Sequence, residues 1–158
     1  MAGNVKPIPD CYHGAIPYLV CKGAAQAIQF YKDAFGATES IRMDGPQGTV
    51  GHAELRIGEA VFMLSDEIPQ MGCSSPKTLG GTPVSMYVYV KDVDALAKRA
   101  AAAGAKVLRP VADQFYGDRS VGLEDPFGHR WAFATHVEDV PPEELKRRAA
   151  KMFAGGQT

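Results

Sequence analysis

The chain is poor in the features that usually reveal a class at sight. Only 3 of its 158 residues are cysteine, and Cys11, Cys21 and Cys73 form no CxxC or other metal-ligand spacing. A disulfide scaffold is excluded, and the thiols read as free. No apolar run reaches the roughly 18 residues that a membrane span needs. The opening segment carries prolines and charges where a signal peptide would have an apolar stretch. These absences predict a cytoplasmic protein without a membrane partner. A formal net charge of −1 leaves no basic excess for a nucleic-acid backbone. What remains is ordinary: 46% hydrophobic and 22% charged residues, enough for one domain or two half-size modules sharing a core.

What is present is a pattern that occurs twice. One helical stretch closes on Phe35-Gly36-Ala37 and another on Ala103-Gly104-Ala105. Leu55 and Leu123 each open a strand pair, and both Gly36 to Gly104 and Leu55 to Leu123 are 68 residues. A shared offset between a helix end and a strand pair is what a duplicated supersecondary unit leaves behind. Two such units pack around a pseudo-twofold axis, and the groove between them suits a ligand.

The local signals assign the parts. Residues 1–13 read as a loose leader, 14–66 as a first βαβββ module and 67–82 as a Pro-, Gly- and Ser-rich linker. Residues 83–138 form the second module, and 139–158 a closing helix and tail. In the first module, 14–21 read as a strand, with Pro17 near its opening. Ala24, Ile28, Tyr31 and Phe35 make one helical stripe, with Gly36 as a cap free to take positive φ. Along 49–57, Ala53, Leu55 and Ile57 point one way and His52, Glu54 and Arg56 the other, as in a sheet with one face on helices. In the second module, Met86, Val88 and Val90 share a face, and Ser85, Tyr87 and Tyr89 share the opposite one. Asp92 caps the helix from Val93 to Ala103. In the last helix, Glu143 with Arg147 and Glu144 with Arg148 form i,i+4 pairs.

Two βαβββ units with these turns resemble the vicinal oxygen chelate superfamily, which includes glyoxalase I, bleomycin-resistance proteins and extradiol dioxygenases. The likeness is nearest to its PhnB-like branch. It rests on Pro17-Tyr18-Leu19-Val20, the run from Ala27 to Ala37, His52-Ala53-Glu54-Leu55-Arg56-Ile57-Gly58 and Met63-Leu64-Ser65-Asp66-Glu67. Gly117-Asp118-Arg119, Asp125-Pro126-Phe127-Gly128-His129-Arg130-Trp131 and Ala134-Thr135-His136 complete it. The resemblance implies an α+β fold of two tandem modules forming a cup-shaped mixed sheet, often completed as a homodimer. It also implies a divalent metal in many members, held by residues of the first and last strands of each module. At those positions stand Met63, Ala132, Ser85 and one of Ala15, Ile16 or Pro17. A thioether, a methyl group and a hydroxyl are a poor set for a hard cation, so the expectation is no metal and no cofactor.

The expected ligand-binding residues are those on the cup face: His52, Met63, Ser85, Tyr87, Tyr89, Arg119, Arg130 and His136. Tyrosines suit a flat, partly polar molecule, and Arg119 offers a cation, unless Asp118 or Asp125 pairs with it. Trp131 and Phe133 have helix-facing parity and belong to the core, and Glu54 pairs most simply with Arg56. The reading is a protein that binds a small, partly aromatic molecule without the family's metal, as bleomycin-resistance members do by sequestration. The alternative is a glyoxalase-like lyase or isomerase, using a relocated metal or Glu54 and His52 for acid–base catalysis.

Overall fold

A computed structural model describes residues 5–155. The first module runs β1 (Tyr18–Cys21), α1 (Ala24–Phe35), β2 (Thr38–Asp44), β3 (Val50–Ile57) and β4 (Ala60–Asp66). A short helix α2 (Pro76–Leu79) lies in the connection. The second module runs β5 (Ser85–Tyr89), α3 (Val93–Ala102), β6 (Lys106–Asp113), β7 (Asp118–Glu124) and β8 (Arg130–His136), followed by α4 (Pro142–Gly155). The repeat seen in the sequence is a repeat of topology. One sheet has strand order β1-β4-β3-β2, and the other has the same order, β5-β8-β7-β6. In each, the first strand pairs in parallel with the last and the other neighbours are antiparallel. The fold is α+β, with two open mixed sheets.

The helix stripe works as its spacing requires. Ala24, Ile28, Tyr31 and Phe35 are all buried, and Gly36 closes α1 at φ 70 with its N–H donating to the Lys32 carbonyl. Tyr31 and Phe35 also reach the other module. Their rings lie 5.4 and 5.1 Å from Trp131, and Phe35 lies 4.7 Å from Phe133. The helix-facing sides of both sheets therefore share one core. The opposite face of each sheet turns away from it, since side chains alternate along a strand.

Two carboxylates, half-buried Asp66 and buried Asp125, fasten this arrangement. Asp66 accepts from the N–H groups of Gly23 and Ala24, at the start of α1, and from Val50 of β3. Asp125, in the turn before β8, accepts from the Tyr31 hydroxyl at 2.7 Å and from the Trp131 indole at 2.9 Å. Its other oxygen accepts from the N–H groups of Phe127 and His129. His129 points its ring at the Val20 carbonyl, so it is a tie between modules. Burial lowers the His129 pKa and raises that of neighbouring Cys21 to about 12, which leaves the thiol unreactive.

Several local expectations change. The first strand begins at Tyr18, four residues later than the pattern suggests. Pro17 has no N–H to give, although its carbonyl still accepts from Met63. The linker is built: Ser75 caps α2, and Glu67 accepts from the Ser75 N–H. Hydrogen bonds from Thr78 and Ser75 hold the Glu67 pKa at about 2. The leader is not loose from Lys6 to Tyr12, where Lys6 pairs with Asp10 and Tyr12 docks on the sheet; residues 1–4 lie outside the described residues. In α4, Glu144 takes both Arg147 and Arg148 while Glu143 takes Lys146, so the Glu143–Arg147 pair is not formed.

Asp125→Ala strands the Tyr31 and Trp131 donors in the core, and denaturant unfolding should show a loss of about 3 kcal/mol or more. A loss under about 1 kcal/mol would mean that these donors find other partners.

Candidate functional site

The outward faces can be read as rows across the strands. In the first sheet, Tyr18 lies opposite Met63, Met63 opposite Glu54, and Glu54 opposite Ile41. In the second, Tyr87 lies opposite Ala132, Ala132 opposite Gly122, and Gly122 opposite Arg109. A tyrosine on the first strand begins both rows. Beyond it they diverge. The first is filled by a thioether, a carboxylate and an isoleucine. The second has the two smallest side chains in its middle.

The first row is also covered. Tyr12, from the leader, donates its hydroxyl to both oxygens of Glu54 at 2.7 Å. This bond pushes the Tyr12 pKa up to about 12. The His52 Nε2–H points at Glu54 from 3.4 Å, and its Nδ1 accepts the Tyr18 hydroxyl at 2.9 Å. Arg56 does not pair with Glu54. It donates to the Cys11 carbonyl, holding the leader down from the other side. The two residues expected to do acid–base chemistry are thus brought together, with a phenol seated on the carboxylate.

The second face carries its own polar cluster. Asp118 is 3% exposed and sits at the end of β7. It accepts from Tyr89 at 2.7 Å, Tyr87 at 3.2 Å and the His136 Nδ1–H at 2.8 Å. Nε2 of His136 meets Asp139 at 2.9 Å. Carboxylates only accept, so both ring nitrogens donate and the imidazolium is favoured. Hydrogen bonds to Asp118 and Asp139 accordingly raise the His136 pKa. Burial alone would lift the Asp118 carboxyl, but bonds from His136, Tyr89 and Tyr87 outweigh it and hold its pKa low. Burial, then the neighbouring Tyr116, raises that of Tyr87; the bond to Asp118 raises that of Tyr89. The hydroxyls are fixed downward while the rings stay 48% and 59% exposed.

Two cavities meet at Tyr87. One of about 550 Å³ is lined by Ser85 and Tyr87, by Arg56 and Val61 of the first module, and by Asp10, Cys11 and His13 of the leader. A shallower one of about 1050 Å³ contains Tyr87, Tyr89 and His136. Met63 is in neither. Arg130 is exposed on the outward face, 4.0 Å from Glu124. Arg119 does not reach this face. It is opposite Thr135, which serves the start of α3, and its guanidinium is taken by Asp94 and Asp113. The sequence pattern missed Asp118, Tyr12 and Gly122. Nothing in their spacing marks them, because each acts on a partner from another strand or segment.

A model of the Glyoxalase/Bleomycin resistance protein/Dioxygenase superfamily matches residues 15–133, and the chain belongs to this superfamily. An uncharacterized protein of Mycobacterium bovis is 45% identical over 149 residues, covering 92% of this chain and 94% of its own length. The structure of TioX from Micromonospora sp. ML1 superposes with a TM-score of 0.62 at 29% identity, over 78% of this chain and 100% of that one. The PhnB protein from Bacillus cereus shares the fold at 18% identity, with a TM-score of 0.58 over 78% of this chain and 99% of that one. The metal implied by the resemblance does not fit the donors present. Met63 and Ala132 occupy equivalent places in the two rows, and Ser85 sits opposite Arg130. Among the described residues, no three His, Cys, Asp or Glu side chains are grouped so as to hold an ion.

Stabilisation from His136 is full below its unfolded pKa of about 6.5 and is lost as pH rises through the higher folded value. NMR titration of the His136 ring should show that raised value, and Asp118→Asn should bring it back toward about 6.5. An unshifted His136 in the unaltered protein would contradict the cluster.

Proposed function

We propose that this protein binds a small, planar, partly aromatic molecule on the outward face of the second sheet, without a metal. The observation that carries the reading is the difference between the two rows. Large side chains and Tyr12 fill the first, whereas the second places Ala132 and Gly122, small residues that are themselves buried, beside Tyr87. Phenol rings fixed by a buried carboxylate, tilted 58° to each other, give an aromatic wall that loses little conformational freedom on binding. Ser85 and Tyr87 connect that wall to the cavity of about 550 Å³, a size suited to a small ligand. Such an arrangement supports sequestration, as in bleomycin-resistance proteins of the superfamily.

The same reading includes a homodimer. Ile41 and Met43 on β2 and Val107 and Leu108 on β6 leave apolar margins exposed on both sheets, which suit burial against a second copy. Three free thiols suit a reducing, cytoplasmic setting.

Thermal-shift screening against divalent metals and a panel of planar aromatic compounds tests the proposal. Aromatic compounds should raise the melting temperature of the unaltered protein. Tyr87→Ala, and Ala132→Leu, which adds bulk beside Tyr87, should abolish most of that shift. A stoichiometric metal in the purified protein, with a large stabilisation on adding it, would sink the metal-free reading. Sedimentation of a monomer at all concentrations would sink the dimer.

A further inference from the structure

The second row ends on a charged side chain that the binding reading leaves without a task. Arg109 is exposed, and it forms no ion pair with any described residue. It is held in an unusual way. A Cβ built on Gly122 would lie 2.9 Å from Nε and 3.3 Å from Cβ of Arg109. Gly122 has no positive φ that would call for glycine. The missing side chain is what lets Arg109 lie flat across β7. The guanidinium therefore lies over Gly122, on the same face as Tyr87.

Charge on this face is unequally satisfied. Asp118 already receives two phenol protons and an imidazole N–H. Arg109 has five N–H donors in a planar fork and gives none of them to a described carboxylate. The unmet demand at this site is for an anion. Tyr87 and Arg109 are three strand spacings apart, so their Cα atoms are about 14 Å from each other. That span leaves room for a flat ring against the tyrosine and an acidic group at the fork.

We propose that Arg109, laid across Gly122, is the anchor for an acidic group, so that the ligand is a planar aromatic acid. This rests on the binding reading above and adds its ligand class. A carboxylate takes two parallel N–H bonds from the guanidinium while the ring covers Ala132 and meets Tyr87. The tyrosine hydroxyls are engaged by Asp118, so the ring faces are what Tyr87 and Tyr89 offer the ligand.

Three probes of one shape test this: naphthoate, naphthalenemethanol and naphthylmethylammonium, titrated by calorimetry into the full-length protein. Naphthoate should bind about tenfold or more tighter than the neutral alcohol, and the cation weakest. Arg109→Gln should remove the preference for the acid over the alcohol. Arg109→Lys should restore only part of it, because an ammonium cannot make the paired contact. Gly122→Ala keeps Arg109 but displaces it, and should also lose the preference. Melting curves establish that each variant folds. Equal affinity for all three probes, or an acid preference that survives both Arg109→Gln and Gly122→Ala, would overturn the anchor and leave the pocket standing. Binding by none of them would overturn the pocket and the anchor together.

Discussion

The hydrogen bonds converging on Asp125 are the constraint on which the rest of the molecule depends. Its two oxygens join a helix of the first module, through Tyr31, to a strand of the second, through Trp131. A buried carboxylate is costly unless every lone pair is used. Here all four partners are N–H or O–H donors from fixed positions, so the two modules meet at one distance and one angle. The aromatic cluster of Tyr31, Phe35, Phe62 and Trp131 then packs around the contact.

That constraint decides what the sheets can offer. Both use their helix-facing sides for the common core, and the outward sides turn away from it. Each outward side hides one carboxylate under phenols: Glu54 beneath Tyr12, and Asp118 beneath Tyr87 and Tyr89. The consequences differ. In the first sheet the phenol comes from the leader and closes the row. In the second the phenols belong to β5 and stand beside the small, buried Ala132 and Gly122. A duplicated unit has thus produced two differently furnished faces, through different residues at equivalent places.

Much of the fold was legible in the chain because it depends on near neighbours. The stripe of Ala24, Ile28, Tyr31 and Phe35 fixes a helix, and alternation in the strands fixes which side of each sheet is buried. The superfamily could be recognised because turns and helix ends recur in a set order. The site was legible only in part. Ser85, Tyr87, Tyr89 and His136 have outward parity and stand on the outward face of the second sheet. Arg119 has the opposite parity and pairs with Asp94 and Asp113, partners that no local rule points to. The Asp125 turn read as a turn and nothing more, since Tyr31 is 94 residues away.

The sequence alone determined the periods, the caps, the repeat and the chemical poverty of the family's metal positions. Those are properties of single residues and their immediate neighbours. Tertiary structure decided which side chains stand together, because pairing across strands depends on register. β6 shows this most plainly. Val107 is opposite the buried Leu123, and simple alternation would turn Arg109 inward as well. A register shift between Val107 and Arg109 instead sets Arg109 opposite Gly122, on the outward face. A bulge of one residue reverses the side chains that follow it, here until a second shift between Arg109 and Ala112, and only the folded sheet records where that happens.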